Sequence, residues 1–396
     1  MKNALWIGHG HLVLPDGVIE NGSLLTEDGK ITALCQPAPE NVKQVDAQGG
    51  YILSGFIDLH VHGGGDGDFM DITEDAFEKA TRTHMQHGTT ALVATTMTCP
   101  DALLEQAISC FLQCKKHRQD GAQLLGLHLE GPFFSSASKG AQPVSEQRTP
   151  TRDMLEHMIR LAEGNILRWD MAPELPNMEL FAQVMKENGI LAAVAHTAAN
   201  AETAMRAFDA GFSHTTHFYN AMTTFHKENG IVHAGVIEAT YLRDDVTIEL
   251  IGDGRHIPKE SMQLAYRIKG ADRIALITDA MRAAGTNDVH SILGPRVGGV
   301  PVVVKDDVAQ LEDFSSYAGS VCTMDRALRT AHVQYGLPLH DVSRMLSLTP
   351  ARLCGVKKQK GSLEIGKDAD IVLMDKDFRV KQVFIAGQCR YQKGKE

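Results

Sequence analysis

Residues 55–68 read GFIDLHVHGGGDGD. Phe56, Ile57, Leu59 and Val61 make an apolar strand-type run that stops at three consecutive glycines. Successive strand side chains point to opposite faces, so His60 and His62 project the same way, with Asp58 deeper on that side. Two imidazoles fixed at i and i+2 can chelate one metal ion, and the glycines behind them let the backbone turn sharply. Alone, such a pair is equally consistent with two hydrogen-bonded histidines. The rest of the chain has to decide.

Eight strand-type runs occupy the middle of the sequence: 52–62, 89–96, 124–131, 166–174, 190–197, 214–222, 246–256 and 273–281. Helical patterns lie between them, among them 73–87 with Thr73 as N-cap, 101–116, 201–210 and 259–269. Eight strand–helix units within about 230 residues fit a (β/α)8 barrel of the TIM type better than an open doubly wound sheet. No G-x-G-x-x-G opens a helix after an early strand, so a dinucleotide fold has no support. Both ends differ from this middle. Residues 5–34 alternate apolar and polar residues around Asp-Gly and Asn-Gly turns, and residues 361–390 repeat that character. The expectation is an α/β protein in two parts. Residues 1–52 and 356–396 form a small β-sandwich domain built from both termini, and residues 53–355 form the barrel.

Composition narrows the function classes. The 396 residues carry 39 Lys+Arg against 49 Asp+Glu, a formal charge of −10, with no basic tract. That balance argues against a nucleic-acid or membrane partner and leaves room for a local basic pocket. No apolar run reaches the ~20 residues that span a bilayer, and the N-terminus does not read as a signal peptide. Seven cysteines without a C-x-x-C pair fit a reducing cytoplasm; Cys110 and Cys114, four apart on a helix, complete no metal tetrahedron.

Chemistry in such a barrel gathers at the C-terminal strand ends. Those ends carry His60 and His62, Glu130, Glu174, His196, His217, His256 and Asp279. Glu130 with several histidines is a donor set for Zn2+, Fe2+ or a similar divalent ion. Each alone reads as a satisfied buried polar residue; their coincidence at successive strand ends favours a metal site. His128 and His214 read as supporting partners that orient the ligands. Asp279, closing RIALITDAM, is placed to accept a proton from an acidified water and pass it to a leaving amine, or alternatively to cap a helix.

These segments together, DLHVHGG, LHLEGPF, AHT, THFYNAM, DGRH and TDA, resemble the amidohydrolase superfamily, and more narrowly the N-acetylglucosamine-6-phosphate deacetylases. The likeness extends to AGS at 318–320, TPAR at 349–352 and the terminal GSLEIGKDAD. It implies a metal-dependent hydrolase that releases acetate from an N-acetyl amino-sugar phosphate. On that resemblance Glu130, His196 and His217 hold the principal ion, and His60 and His62 add a second. One or two divalent ions are implied, Zn2+ first, with Fe2+, Mn2+, Co2+ or Ni2+ as alternatives. Asp279 becomes the acid–base residue. Asn220, Ala221, His256, Ala318 and Gly319 hold substrate, and a homodimer is implied.

Two positions depart from the family pattern. The KGAH of relatives is Lys139-Gly140-Ala141-Gln142 here, so Gln142 can donate a hydrogen bond to the acetyl carbonyl without carrying charge. Where relatives place an arginine for the phosphate, this chain reads TTFHKENG, with Lys227 the nearest match; Arg255 and His256 add to a positive pocket. Other readings stay open at this level. One is an amidohydrolase acting on an unphosphorylated or epimeric N-acetyl sugar, a cyclic amide or a dipeptide. Another is a non-catalytic sugar-binding regulator.

Overall fold

The computed structural model describes residues 3–117 and 120–394, so the two outermost residues at each end of the expected terminal domain lie outside it. Eight parallel strands form one sheet: β1 (Phe56–Val61), β2 (Thr89–Thr96), β3 (Gln123–Phe133), β4 (Ile166–Met171), β5 (Leu191–Val194), β6 (His214–Thr215), β7 (Thr247–Ile251) and β8 (Ile274–Ile277). They neighbour one another in sequence order, and a parallel bridge from Val61 to Ala280 brings β8 back to β1. This is the (β/α)8 barrel expected from the alternation of strand and helix. Helices Asp101–Lys116, Ala201–Ala210 and Lys259–Lys269 form where their patterns place them. Helix Glu74–Gln86 starts at Thr73, whose hydroxyl accepts the Ala76 N–H.

The run 52–62 is two strands, not one. Tyr51–Ser54 pairs antiparallel with Ile371–Met374 in a separate sheet, and the chain enters the barrel only after Gly55. A Cβ at Gly55 would sit 2.1 Å from the Thr90 hydroxyl, so only glycine allows the crossing there. That separate sheet joins both termini. Its order is Gln388–Gln392, Val380–Ile385, Ile371–Met374, Tyr51–Ser54, Ala4–Leu14, Gly17–Glu27 and Lys30–Leu34, with Lys43–Asp46 also beside Ala4–Leu14. Leu5, Ile7, Leu24, Ile52, Ile371 and Phe384 fill a core of its own.

Several barrel strands end sooner than their apolar runs. His196, His217 and Asp279 have φ of +43°, +28° and +50°, which takes each residue out of strand geometry and turns it toward the barrel mouth. A four-stranded antiparallel sheet with no counterpart in the sequence-based expectation (His290–Leu293, Val300–Lys305, Val308–Leu311, Tyr317–Ser320) is tied to the barrel by a bridge from Ser320 to Ala280.

The outer core packs around Trp169 of β4, stacked on Phe133 at 5.5 Å and edge-on to Phe181 at 6.1 Å. Its indole N–H donates to Gly131 O at 2.9 Å, just behind Glu130. Trp169→Ala is therefore expected to cost about 3–5 kcal/mol, read by denaturant unfolding; a loss below ~1 kcal/mol would show that the pocket collapses without it.

Candidate metal centre

β1 presents Asp58, His60 and His62 inward, as alternation requires, and β3 presents His128 and Glu130; all five are buried. At the mouth, six donor residues converge. His60, His62 and Asp279 form one group able to hold an ion, and Glu130, His196 and His217 another. In the second group the two Nε2 atoms are 3.0 Å apart, and each lies 3.2 Å from Glu130 Oε1. In the first, the Nε2 atoms are 3.3 Å apart, and Asp279 Oδ1 is 3.4 Å from His60 and 3.3 Å from His62. Ligand bonds of ~2.0 Å around a tetrahedral ion place the ligands ~3.3 Å from one another, so both triangles have the spacing of a coordination shell. Glu130 lies between them, its Oε2 at 3.3 Å from His62 Nε2.

Electrostatics agree with a cation there. Burial alone would raise the Glu130 carboxyl, but the neighbouring His60 ring and hydrogen bonds from His196, His217 and His62 hold it well below the usual range. Burial likewise works against charge on Asp279, and His60 and His62 outweigh it and lower that carboxyl. Conversely, His217 is driven up to about 9: burial opposes this, and the Glu130 carboxylate overcomes it. The two carboxylates thus make the cluster a sink for positive charge. Ring orientation suits metal as well. His196 Nδ1 donates to Ser138 O at 3.0 Å and His60 Nδ1 to Glu249 Oε1 at 2.7 Å, which leaves both Nε2 lone pairs facing the cluster. The donor set therefore fits one or two divalent ions of borderline character.

The cavity above the cluster is lined by His62, Glu130, Ala141, Gln142, His196, His217, Asn220, Ala221, His256, Asp279 and Gly319, among others. Gly319 has φ +66°, and a Cβ there would lie 3.0 Å from Asp279 O and 3.8 Å from its Oδ1. Ala318 is buried behind the lining. His256 Nδ1 is held by Asp253 Oδ2 at 2.7 Å. Gln142 is buried, and its orientation is unambiguous. Thr98 N–H can only donate, so the atom 3.0 Å away is Oε1, and Nε2 donates to Glu130 Oε2 at 2.8 Å.

Some expected residues stand elsewhere. Lys227 is exposed on a hairpin of His226–Glu228 and Ile231–His233, and Arg255 is exposed after β7. Neither lines the cavity, and no lysine or arginine does among the described residues. Glu174 clamps the loop after His196, accepting the Thr197 hydroxyl and the Ala198 N–H, both at 2.6 Å. His128 and His214 sit below the site as supporting groups: His128 Nε2 meets Asp170 at 2.8 Å, and His214 Nδ1 meets Thr247 at 2.8 Å.

Sequence reasoning misses the layer these histidines share. Arg168 and Glu249 pair fully inside the barrel. Burial would raise Glu249, but the Arg168 guanidinium and His60 hold it well below the usual range. The one signal in the sequence is charge within buried strands, Arg168 and Asp170 in ILRWDM and Glu249 in TIELI. Met97, Ile251, Leu293, Ser316 and Tyr317 also line the cavity and carry no motif.

Comparison with known proteins agrees with this geometry. The model of the amidohydrolase family matches residues 51–390. An N-acetylglucosamine-6-phosphate deacetylase of Lysinibacillus sphaericus is 34% identical, covering 96% of both chains. An N-acetylgalactosamine-6-phosphate deacetylase of Escherichia coli O157:H7 is 33% identical, covering 95% of this chain and 97% of its own. Among solved structures, a mutant N-acetyl-D-glucosamine-6-phosphate deacetylase of Mycobacterium smegmatis, in complex with N-acetyl-D-glucosamine-6-phosphate, superposes with a TM-score of 0.89. It is 29% identical over 98% of this chain and 100% of that one. Matched in fold and over nearly its whole length, this chain belongs to the amidohydrolase family and, within it, to the N-acetylglucosamine-6-phosphate deacetylase family.

Proposed function

We propose that this chain hydrolyses the N-acetyl group of an N-acetylhexosamine 6-phosphate, N-acetylglucosamine 6-phosphate first, giving the amino-sugar phosphate and acetate. The observation that carries this is the convergence of two carboxylates and four imidazoles under a cavity that also holds Gln142, Asn220 and His256. In this reading Glu130, His196 and His217 hold one divalent ion and His60, His62 and Asp279 flank a second. When bound, such ions acidify water and polarise a carbonyl oxygen.

The chain's own groups supply the rest. Asp279 takes a proton from the attacking water, and the same proton then goes to the departing amine nitrogen as the C–N bond breaks. Gln142 has two amide hydrogens. One is spent on Glu130, and the other is available to the acetyl carbonyl from the cavity wall. His256 and the Asn220–Ala221 turn take the sugar phosphate, and Lys227, exposed on the hairpin that follows that turn and outside the cavity wall, supplies a positive charge to it from outside the pocket. On the same reading the ion is zinc, and the chain is a cytoplasmic homodimer.

The relatives at 34% and 33% identity act by name on different epimers, so identity does not choose between them. Zinc-loaded protein is expected to release acetate from N-acetylglucosamine 6-phosphate far faster than from its unphosphorylated parent. The galactosamine epimer run alongside assigns the sugar. Failure on all three, with metal verified in the protein, would overturn the substrate assignment. Lys227→Ala is expected to raise KM about tenfold for the phosphorylated sugar, the loss of one charged phosphate contact, with kcat held. An unchanged KM would give the phosphate to His256 and its neighbours alone.

A further inference from the structure

Glu249 stands mid-strand in β7 with its two carboxylate oxygens serving different layers. Oε1 faces the mouth, accepting from His60 Nδ1 at 2.7 Å and from the backbone N–H of His217 at 2.9 Å. Oε2 faces the layer below, where it takes Arg168 Nη1 and lies 3.3 Å from His214 Nε2, while Arg168 Nη2 also reaches Oε1 at 3.3 Å. His60 belongs to one metal group and His217 to the other. One oxygen atom is therefore bonded to both.

Each bond fixes something the site needs. At His60 Nδ1 the acceptor Glu249 Oε1 stands at 2.7 Å and the competing donor Arg168 Nη2 at 3.3 Å, so the closer acceptor puts the ring proton there and leaves the Nε2 lone pair for a metal. At His217, with φ +28°, a non-glycine residue keeps its backbone only where its surroundings over-determine it, and the Oε1 contact is one such constraint. We propose that Glu249 is a positioning residue that ties the two metal groups together, setting the tautomer of His60 and the backbone of His217 through a single oxygen. This rests on the reading that those two groups hold metal.

Glu249→Gln has a specific consequence. The shorter Arg168 contact, Nη1 on the Oε2 position, takes the amide oxygen, so the NH2 occupies the Oε1 position against His60 Nδ1, the His217 N–H and Arg168 Nη2, donor against donor. His60 then relieves the clash by moving its proton to Nε2, which points it at the metal. Zinc affinities measured by chelator competition are expected to fall about 10–100-fold at the weaker of two sites in Glu249→Gln. Neutron diffraction of the zinc-loaded wild-type protein is expected to find hydrogen on His60 Nδ1.

Hydrogen on Nε2 in the wild type would overturn the proposal without any variant, so a Glu249→Gln chain that fails to fold does not protect it. Wild-type affinities in Glu249→Gln would overturn it as well. Wild-type protein that binds no zinc would instead sink the metal reading beneath it, a result these same titrations register separately.

Discussion

Asp279→Asn is expected to lower kcat about 10²–10⁴-fold while leaving the affinity for the sugar phosphate close to wild type. The substitution is near-isosteric, and the backbone holds the residue from both sides. Asp279 N–H donates to His60 O at 2.9 Å, and Asp279 O accepts from Ser320 N–H at 2.7 Å. An asparagine therefore occupies the same place above His60 and His62 but can neither take up nor deliver a proton. Metal content, measured alongside, should persist in the Glu130 group, which does not use this carboxylate. A kcat within tenfold of wild type would remove Asp279 as the proton carrier. The variant also separates an enzyme from a sugar-binding regulator, whose ligand affinity is its only function and would not register the change.

Glu130→Gln should do more, because this side chain faces both groups. Oε1 meets His196 and His217, and Oε2 meets His62 and Gln142. An amide there places an NH2 donor against an imidazole or against the Gln142 amide, and it removes the charge that draws a cation in. Bound metal by mass spectrometry is expected to fall to background, and turnover to drop more than ~10³-fold, since acidified water is lost with the ion. Full metal occupancy with turnover within tenfold of wild type would show that the histidines and Asp279 suffice.

Much of this site is legible in the amino-acid sequence alone, for a reason particular strands make plain. In β1 and β3 the inward set is fixed by period-two alternation, so Asp58, His60 and His62 and then His128 and Glu130 follow directly from spacing. His196, His217 and Asp279 are marked by their place at the ends of apolar runs. Their left-handed backbone is invisible in sequence, because nothing marks a non-glycine residue for that conformation. The long run 52–62 hides a change of sheet, since Gly55 between two apolar segments looks like part of a single strand. Lys227 and Arg255 are assigned to the site by their place along the chain, and the structure puts both outside the cavity lining, because chain proximity says little about where loops that leave the barrel end up. Arg168, two residues before Asp170 in β4, and Glu249, the lone charge of β7, escape notice because they sit in otherwise apolar strands and pair with each other across the barrel.

The sheet shared by both termini bears on how the chain comes off the ribosome. The strand Tyr51–Ser54 is synthesised early, but its neighbour Ile371–Met374 emerges more than three hundred residues later. At ~5–20 residues per second the amino-terminal strands wait roughly 15–60 s for that edge to be covered. During that interval the barrel can assemble, while the amino-terminal ribbon presents open backbone groups to any passing strand. Nascent chains released before residue 371 should therefore be richer in chaperone contacts than full-length ones. A circular permutant that joins residue 396 to residue 1 and opens in a surface loop of the barrel should shorten this exposure.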